Sequence, residues 1–137
     1  MAQKEKGNGT YRFDATGEIL GRLASRAALL LRGKESPNFR PNVVSPVEVT
    51  VFNTDKLKFS GNKLQAKKYY RHSGYPGGIK VRSLEEFMAK DSREVFRQAV
   101  YGMLPKNKMR SRLITKLKLF KGSDPNTRMH PNDTKEF

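Results

Sequence analysis

The stretch ILGRLASRAALLLRG, residues 19–33, decides the fold more than any other part of the chain. Its apolar residues recur at the spacing of one helical face, while Arg22, Ser25 and Arg26 fall mostly on the opposite face. Gly33 follows the last turn, where helices commonly end in a left-handed residue. The stretch therefore predicts an amphipathic helix closed by Gly33. The buried face of this helix is predicted to consist of Leu20, Leu23, Ala24, Ala27, Ala28, Leu30 and Leu31.

Two further segments alternate apolar and other residues, as strands do. In residues 47–52 the valines alternate with Glu48 and Thr50, and the pattern ends at Asn53. In residues 117–120 two leucines alternate in the same way. Because strands separated by helices favour an α/β domain, this is the fold class that the chain predicts.

Capping signals predict two helices after residue 82. Ser83 is followed three residues later by Glu86, and Asp91 by Glu94, and each pair forms a capping box at a helix start. Pro105 ends the second helix because it cannot continue the backbone hydrogen bonds. The apolar stripe of the second helix is predicted to lie in the core. It consists of Val95, Phe96, Ala99, Val100, Met103 and Leu104.

Shorter elements are predicted between and after these helices. Residues 53–55 are expected to cap a short helix that runs to Phe59, and residues 107–115 to contain another. Residues 67–71 form a strand or an extended segment, and residues 72–78 form a loop. With no internal repeat, the chain predicts one domain over residues 11–122. A flexible N-terminal arm, residues 1–10, precedes it and a polar tail, residues 123–137, follows it.

The positive charge of the chain is confined to two segments that lack acidic residues. Residues 56–84 and residues 95–123 each contain eight Lys and Arg. They hold 16 of the 28 basic residues and account for the formal net charge of +15, since the remainder has 12 basic and 13 acidic residues. A protein that binds a polyphosphate gains affinity from this segregation, because each cation near a phosphate releases condensed counterions. The charge distribution therefore predicts nucleic-acid binding.

Aromatic residues and glycines are interleaved with the first basic segment. Tyr69, Tyr70 and Tyr75 can stack on bases or ribose, and the glycines of residues 72–78 let backbone amides approach a phosphate. For the glycines, an ordinary surface turn stays open as the alternative. One tyrosine of the adjacent pair is expected to pack in the core, because neighbours on a strand face opposite ways. No modular RNA-binding motif occurs, so recognition is predicted to rest on RNA shape and phosphates.

Composition argues against several other classes of function. The absence of cysteine excludes disulfides, thiolate zinc sites and a cysteine nucleophile. His72 and His130 are far apart and lack a paired carboxylate motif, so no metal site is predicted. The longest apolar stretch, residues 27–31, is too short to cross a membrane. The polar start of the chain has no pattern of a secretory signal, so a cytoplasmic location is expected.

Candidate catalytic groups are few. Asp14 and Glu18 could act as acid and base, but single carboxylates beside a helix start more often interact with its dipole. The glycine cluster after Ser73 does not have the spacing of a Walker loop. Arg22 and Arg26 share one helix face, where RNA contact and plain solvation are equally open. We therefore predict no enzymatic activity, and an enzyme acting on a phosphorylated ligand is the least favoured hypothesis.

Several motifs occur in the order found in one known family. Residues 20–25 (LGRLAS) and 31–34 (LRGK) resemble the opening of the L-thirteen family of large-subunit ribosomal proteins. Residues 72–78 (HSGYPGG) and 99–107 (AVYGMLPKN) are similar to its two most specific blocks, in bacterial style. The resemblance spans about residues 11–122. Smaller matches are Asp14-Ala15, Asn53, Gly61-Asn62-Lys63, Lys67-x-Tyr69 and Lys116-Leu117-Lys118.

The resemblance implies a three-layer α/β/α domain around a small, mostly parallel sheet. It also implies a structural protein that binds large-subunit rRNA early in assembly and lies beside other large-subunit proteins, with no cofactor, metal or small-molecule substrate. The resemblance and the basic segments together select the candidate RNA-binding residues. These are Arg22, Arg26, Lys34, Lys63, Lys67, Lys68, Tyr69, Arg71, His72, Ser73, Gly74, Tyr75, Pro76, Gly77, Gly78, Lys80, Pro105, Lys106, Asn107, Arg110 and Arg112.

The chain departs from the family pattern in three places. Ser45-Pro46 stands where the family has Gly-Asp before the central strand, so this turn is expected to differ. Residues 124–126 and 129–131 replace the family's histidine- and proline-containing tail pattern, so its tail contacts are not carried over. The early Trp of the family is missing, and Tyr11 or Phe13 takes its place.

Together these observations predict a structural, rRNA-binding constituent of the large ribosomal subunit. Its location is predicted to be cytoplasmic and of bacterial type, with an organellar ribosome left open. The alternative is a general RNA-binding protein or RNA chaperone that is not built into the ribosome. Such a protein would share the charge distribution but would bind many RNAs with similar affinity.

Overall fold

The strand predicted from the alternating valines lies at the centre of a four-stranded sheet. The computed structural model describes residues 3–4 and 9–123. Strand β3 (Glu48–Phe52) pairs in parallel with β2 (Thr10–Asp14) on one side and with β6 (Leu117–Leu119) on the other. Strand β1 (Gln3–Lys4) adds an antiparallel edge to β2. The predicted α/β fold with a small, mostly parallel sheet is therefore confirmed, and part of the segment predicted as a flexible arm is a strand.

Four consecutive residues of β3, numbers 49–52, are buried. Because successive side chains of a strand point to opposite faces, both faces of β3 are covered. Phe13 on β2 is buried as well, whereas the Tyr11 hydroxyl donates a hydrogen bond to the Glu35 carboxylate at 3.3 Å. Of the two residues considered as substitutes for the family's Trp, Phe13 is thus the one in the core.

Helix α1 (Leu20–Arg32) buries all seven residues of its predicted apolar face. Its last turn ends at Gly33, whose φ of 79° is left-handed. The N–H of Gly33 donates to the carbonyl of Leu30 at 2.9 Å, and the N–H of Lys34 donates to that of Leu29 at 3.3 Å. This pair of bonds is a Schellman motif, which satisfies carbonyls that the helix end would otherwise leave without partners.

The helix predicted to run to Phe59 is wrong beyond residue 56. A single 3₁₀ turn covers Thr54–Lys56, and the chain then becomes extended. The reason is a competing set of backbone bonds. The N–H of Lys58 donates to the carbonyl of Glu18 at 2.9 Å, and the carbonyl of Lys58 accepts from the N–H of Leu20 at 3.1 Å. These bonds hold the segment after β3 beside the start of α1, and a four-residue helix, α2 (Lys63–Ala66), follows.

A separate antiparallel hairpin follows α2. It consists of β4 (Lys68–His72), which lies where an extended segment was predicted, and β5 (Ile79–Ser83), which was not predicted as a strand. Helix α3 (Leu84–Met103) begins directly after β5. Its φ and ψ at Asp91, −157° and 103°, are not helical, so α3 is two helices joined at a kink, as the two capping signals predicted.

Both capping residues accept a backbone N–H of a first helical turn, Ser83 from the predicted Glu86 but Asp91 from Arg93 rather than from Glu94. The Ser83 hydroxyl accepts the N–H of Glu86 at 3.2 Å. The Asp91 carboxylate accepts the N–H of Arg93 at 3.0 Å. Each side chain satisfies a backbone donor of a first helical turn that has no partner within the helix.

The end of α3 differs from the prediction in one residue. Leu104 is buried, but Met103, which was also predicted to lie in the core, is 46% exposed. The helix ends at Met103, and Leu104 adopts an extended conformation that turns its side chain inward. The Met103 sulfur instead accepts a hydrogen bond from the Ser25 hydroxyl at 3.4 Å. Helix α4 (Arg110–Ile114) then covers the middle of the segment predicted as a short helix.

The end of α1 gives a test of the fold. We expect Gly33→Ala to lower the free energy of unfolding by at least about 1–2 kcal/mol, because a left-handed conformation is unfavourable for alanine. The added Cβ would also lie 2.8 Å from the Cβ and Oγ of Ser45. Urea unfolding followed by circular dichroism measures the change.

Gly21→Ala is the matched control. Gly21 lies within the same helix, and a Cβ there meets no atom within 4 Å. This variant is expected to gain about 0.5–1 kcal/mol, because alanine loses less conformational entropy than glycine in a helix. Equal unfolding midpoints for Gly33→Ala and the wild type would contradict the proposed role of Gly33.

Candidate nucleic-acid interface

The register of the hairpin places its cations on one face. Tyr69 lies opposite Arg82, and Arg71 lies opposite Lys80. Because side chains alternate along a strand, these four residues share a face of the β4–β5 ribbon. Like charges directly opposite each other destabilise a strand pair. An anion bound at Arg71 and Lys80 would therefore stabilise the ribbon.

These cations lie at a cleft of about 810 Å³ between the hairpin and α3, which we call the hairpin cleft. None of the cations in residues 56–84 forms an ion pair with a carboxylate within the described part of the chain. Among the described residues that line the cleft, Glu94 is the one acidic residue. The cleft is lined by Tyr69, Tyr70, Arg71, His72, Ser73, Gly78, Lys80, Arg82, Phe87, Lys90, Glu94 and Gln98.

The two adjacent tyrosines have different environments, as predicted. The ring of Tyr69 meets the ring of Phe87 edge-on, with centroids 5.1 Å apart and planes at 72°. Burial raises the pKa of the Tyr69 phenol, and the Lys67 ammonium lies 5.5 Å from the ring centroid. In contrast, Tyr70 is 66% exposed and Tyr75 is 73% exposed. The rings most available for stacking are therefore those of Tyr70 and Tyr75, although Tyr69 was the member of the pair chosen as a candidate.

The loop at the tip of the hairpin is held by its own backbone. The N–H of Ser73 donates to the carbonyl of Gly78 at 3.1 Å, and the N–H of Gly78 donates to that of Tyr75 at 2.9 Å. The N–H of Gly74 donates to Nδ1 of His72 at 2.9 Å. These three amides, which we expected to approach a phosphate, are therefore occupied inside the loop.

The loop does require its glycines. Gly77 has a left-handed φ of 72°. At Gly78 an added Cβ would lie 1.9 Å from the Ser73 hydroxyl oxygen and 2.9 Å from the Tyr75 carbonyl oxygen. Close approach of the backbone, rather than a free amide, explains the glycine at position 78.

A second cleft of about 820 Å³ lies beside the hairpin cleft, and we call it the apolar cleft. Arg22 of α1, Lys63 of α2 and Lys67 line it, and none of the described acidic residues does. Tyr69 and Gln98 line both clefts, so the two are adjacent. The remaining lining residues are Ile19, Leu20, Gly21, Phe59, Ser60, Leu84, Ala99, Tyr101, Gly102 and Met103.

Most cations of the second basic segment interact within the protein instead. Lys118 pairs with Glu48 at 2.7 Å, although 70 residues separate them. Arg97 pairs with Glu94 at 3.2 Å, and Lys121 lies 3.8 Å from Asp91. The Lys116 ammonium donates to the carbonyl of Ser45, which shows how the divergent Ser45-Pro46 turn is held.

Arg110 also interacts with the protein itself. Its guanidinium lies 3.7 Å from the centroid of the Tyr101 ring, and its Nε donates to the Tyr101 carbonyl at 2.7 Å. The Asn107 side chain accepts the N–H of Met109 at 3.1 Å at the approach to α4. Arg110 and Asn107, both predicted to bind RNA, therefore interact with other residues of the protein in this structure.

The other candidates divide by position. Pro105 and Asn107 line a small pocket near α4. Arg26, Lys34, Lys106 and Arg112 are exposed but line neither of the two large clefts. The same is true of Lys68, Gly74, Tyr75, Pro76 and Gly77 on the hairpin.

Arg82 and Lys90 also line the hairpin cleft, although neither was among the predicted RNA-binding residues. Arg82 could have been found, because it lies two residues after Lys80 in an extended segment and therefore on the same face.

The carboxylate of Asp14 has a structural role. It accepts hydrogen bonds from the Thr16 N–H at 2.9 Å, the Thr16 hydroxyl at 2.7 Å and the Asn53 amide at 2.9 Å. It therefore ties the end of β2 to Asn53 after β3, rather than lying at the start of α1 as the helix-dipole interpretation expected. Within residues 9–123, no cluster of His, Asp and Glu side chains is arranged to hold a metal ion. Among the described helices, none is both long and apolar enough to span a bilayer.

Comparison with known proteins agrees with the resemblance seen in the sequence. The family model of Ribosomal protein L13 matches residues 9–126, most of the chain. The chain belongs to the Ribosomal protein L13 family. This membership confirms the predicted family and agrees with the prediction of a non-catalytic protein. The family match extends to residue 126, whereas residues 124–137, with His130 and the divergent tail motifs, lie outside the described residues.

Individual members of the L13 family are similar over nearly the whole chain. The large ribosomal subunit protein uL13 of Syntrophobacter fumaroxidans is 47% identical over 123 residues, covering 90% of this chain and 83% of the relative. The uL13 protein of Mycobacterium avium is 49% identical over 122 residues, covering 88% and 83%. That of Psychrobacter cryohalolentis is 44% identical over 126 residues, covering 92% and 85%.

The Asp14 contacts in this L13 protein predict a specific pH dependence. Burial alone would raise the pKa of Asp14, but the hydrogen bonds from Asn53 and Thr16 and the charge of Lys56 outweigh it and lower the pKa. A carboxylate with a lowered folded-state pKa stabilises the protein above its unfolded pKa, about 3.9, and loses this contribution as the pH falls through the folded value. We expect the stability difference between wild type and Asp14→Asn to shrink between about pH 6 and about pH 3.

Urea unfolding at several pH values measures this difference. Glu18→Gln is the control for the loss of one negative charge, since the Glu18 side chain makes no hydrogen bond within the described residues. A wild-type advantage over Asp14→Asn that stays the same at both ends of the pH range would contradict the assigned cause.

Proposed function

We propose that this protein is a structural constituent of the large ribosomal subunit that binds large-subunit rRNA and supports early subunit assembly. The name of its relatives, large ribosomal subunit protein uL13, supports this proposal. The single observation that carries it is the hairpin cleft, which Arg71, Lys80 and Arg82 line without an ion-pairing carboxylate in the part of the chain that the structure describes. Such a surface gains stability when phosphates approach it.

In the proposed mechanism the core holds the cations at fixed positions before RNA arrives. The hairpin is attached to α3 through the Tyr69–Phe87 ring contact and the direct connection at Ser83. RNA phosphates then neutralise Arg71 and Lys80, which repel each other in the free protein. Strands of rRNA that would repel one another can thereby lie side by side on the protein.

The candidate residues do not all have the same proposed role. Those of the two clefts and the exposed hairpin loop form the main contact, and Arg26, Lys34, Lys106 and Arg112 extend it. Arg110 and Asn107 support the contact by positioning Tyr101 and α4. The proposed partners are large-subunit rRNA and neighbouring large-subunit proteins, and the proposed location is the cytoplasm.

Removing cations of the first basic segment tests the interface. We expect the triple variant Lys67→Ala, Lys68→Ala, Arg71→Ala to bind large-subunit rRNA more weakly. The slope of log affinity against log salt should fall by about 0.7–0.9 for each phosphate that the variant no longer neutralises. Filter binding over a range of salt concentrations measures the slope, and circular dichroism checks the fold.

The matched control removes three cations that are already paired, with Arg97→Ala, Lys118→Ala and Lys121→Ala combined. It changes the net charge equally but takes cations from Glu94, Glu48 and Asp91. Its salt slope should stay close to that of the wild type. If both triple variants lower the slope equally, only net charge matters and the hairpin is not the interface.

Sedimentation distinguishes the proposed function from that of a general RNA-binding protein. A lysate is separated on sucrose gradients in low and in high salt, and the protein is followed by immunoblotting. A built-in ribosomal protein stays with the large subunit through the high-salt wash. Release at moderate salt would instead favour the RNA chaperone.

The hairpin tip gives a further prediction. Gly78→Val should reduce incorporation into large subunits, because the side chain would overlap the Tyr75 carbonyl and Ser73 and so open the loop. The global fold should persist, since the loop is exposed. Quantitative mass spectrometry of purified subunits measures incorporation, with Ile79→Val as the control. Normal incorporation of Gly78→Val would mean that the loop is only a turn.

A further inference from the structure

The apolar cleft leaves hydrophobic surface in the open next to the cationic hairpin. Met103 is 46% exposed and Tyr101 is 43% exposed where they line it. Its volume of about 820 Å³ lies in the range of sites that enclose small organic groups. Exposed apolar surface gathered in a concave site is characteristic of a surface that binds a ligand.

The charges around the apolar cleft specify the kind of group that fits. Arg22, Lys63 and Lys67 line it, and none of them has an ion-pairing carboxylate within the described residues. The Lys63 ammonium donates to the Ser60 hydroxyl at 3.1 Å, and the Lys67 ammonium lies over the Tyr69 ring. An apolar side chain of another protein would desolvate these cations without compensation. A ligand with a flat apolar part and a negative group compensates them.

The position of the cleft also indicates where such a ligand comes from. Tyr69 and Gln98 line both clefts, so an RNA strand bound at the hairpin cleft would lie next to the apolar cleft. Gln98 supplies both a donor and an acceptor to a base edge. Proteins that bind unpaired RNA commonly stack splayed bases on aromatic side chains while cations hold the backbone.

We propose that the apolar cleft takes one unstacked nucleotide of an unpaired RNA segment. The base lies against Phe59, Tyr69 and Met103, and the flanking phosphates lie at Arg22, Lys63 and Lys67. This inference rests on the proposed function, because RNA bound at the hairpin cleft supplies the nucleotide. It adds a contact to a base, whereas the hairpin cleft contacts phosphates.

Gly102 offers a way to fill the cleft without removing a cation. It lines the apolar cleft, and a Cβ at this position meets no atom within 4 Å. Gly102→Phe therefore adds a ring to the lining of the cleft without a clash at its Cβ, and we expect this ring to occupy the space of the base. Leu29→Phe is the matched control, because Leu29 is 50% exposed on α1 and lines neither cleft.

The test compares two probes of equal charge by fluorescence anisotropy with the full chain. One is an oligouridylate of about ten nucleotides, and the other is an abasic ribose-phosphate chain of the same length. We expect Gly102→Phe to weaken binding of oligouridylate by about 5- to 150-fold, the usual contribution of one stacked base. Binding of the abasic chain, and the affinity of Leu29→Phe for both probes, should stay at the wild-type level.

The other outcomes separate this inference from the proposed function. If Gly102→Phe binds both probes like the wild type, no base enters the cleft and the inference is overturned, while salt-dependent binding still supports the phosphate interface. If that variant binds RNA normally but is excluded from large subunits, the cleft takes a protein side chain, which also overturns the inference. Wild-type protein that binds neither probe in a salt-dependent way contradicts the proposed function itself.

Discussion

Two backbone hydrogen bonds of Lys58, one to Glu18 and one to Leu20, are the interaction on which the candidate interface depends. They join the chain that leaves the central strand β3 to the chain that enters α1. Because the segment after Lys58 begins at this point, Phe59 and Lys63 line the same cleft as Arg22, and the hairpin that follows contacts α3. A helix continuing to Phe59 would have directed these residues elsewhere. Both clefts are thus consequences of a short stretch of parallel pairing outside the main sheet.

The elements that sequence predicted are those whose signals are local. Helix α1 combines an apolar face with a glycine cap, and Ser83 and Asp91 mark the two halves of α3 within a few residues of the backbone donors they satisfy. The failures have tertiary causes. The 3₁₀ turn after Asn53 does not continue as a helix, because the backbone N–H and carbonyl of Lys58 bond instead to Glu18 and Leu20, almost 40 residues earlier. Strand β5 was not predicted. Its apolar residues, Ile79 and Val81, are exposed, so the strand has no buried apolar face that its sequence could indicate.

The candidate site was predictable as a region but not as a set of interactions. The charge pattern predicts both basic segments as equivalent. In the structure, however, Lys118 pairs with a carboxylate 70 residues away, whereas the cations of residues 56–84 form no ion pairs with described carboxylates. No sequence signal distinguishes a paired lysine from a free one at that separation. Met103 shows the same difficulty for apolar residues. Helical spacing placed it in the core, but the helix ends at this residue and leaves it at the rim of a cleft.

The Arg71–Lys80 cross-strand pair makes ionic strength act in opposite directions on the free and the bound protein. In the free protein, salt screens the repulsion between the two side chains and so favours the closed ribbon. In the complex, the same salt competes with the phosphates and favours release. In the protein released from RNA, the hairpin is therefore expected to be more stable at high salt than at low salt. Dilution restores both the repulsion between Arg71 and Lys80 and their attraction for phosphate, so at low salt the pair opposes the free ribbon and favours the RNA-bound one.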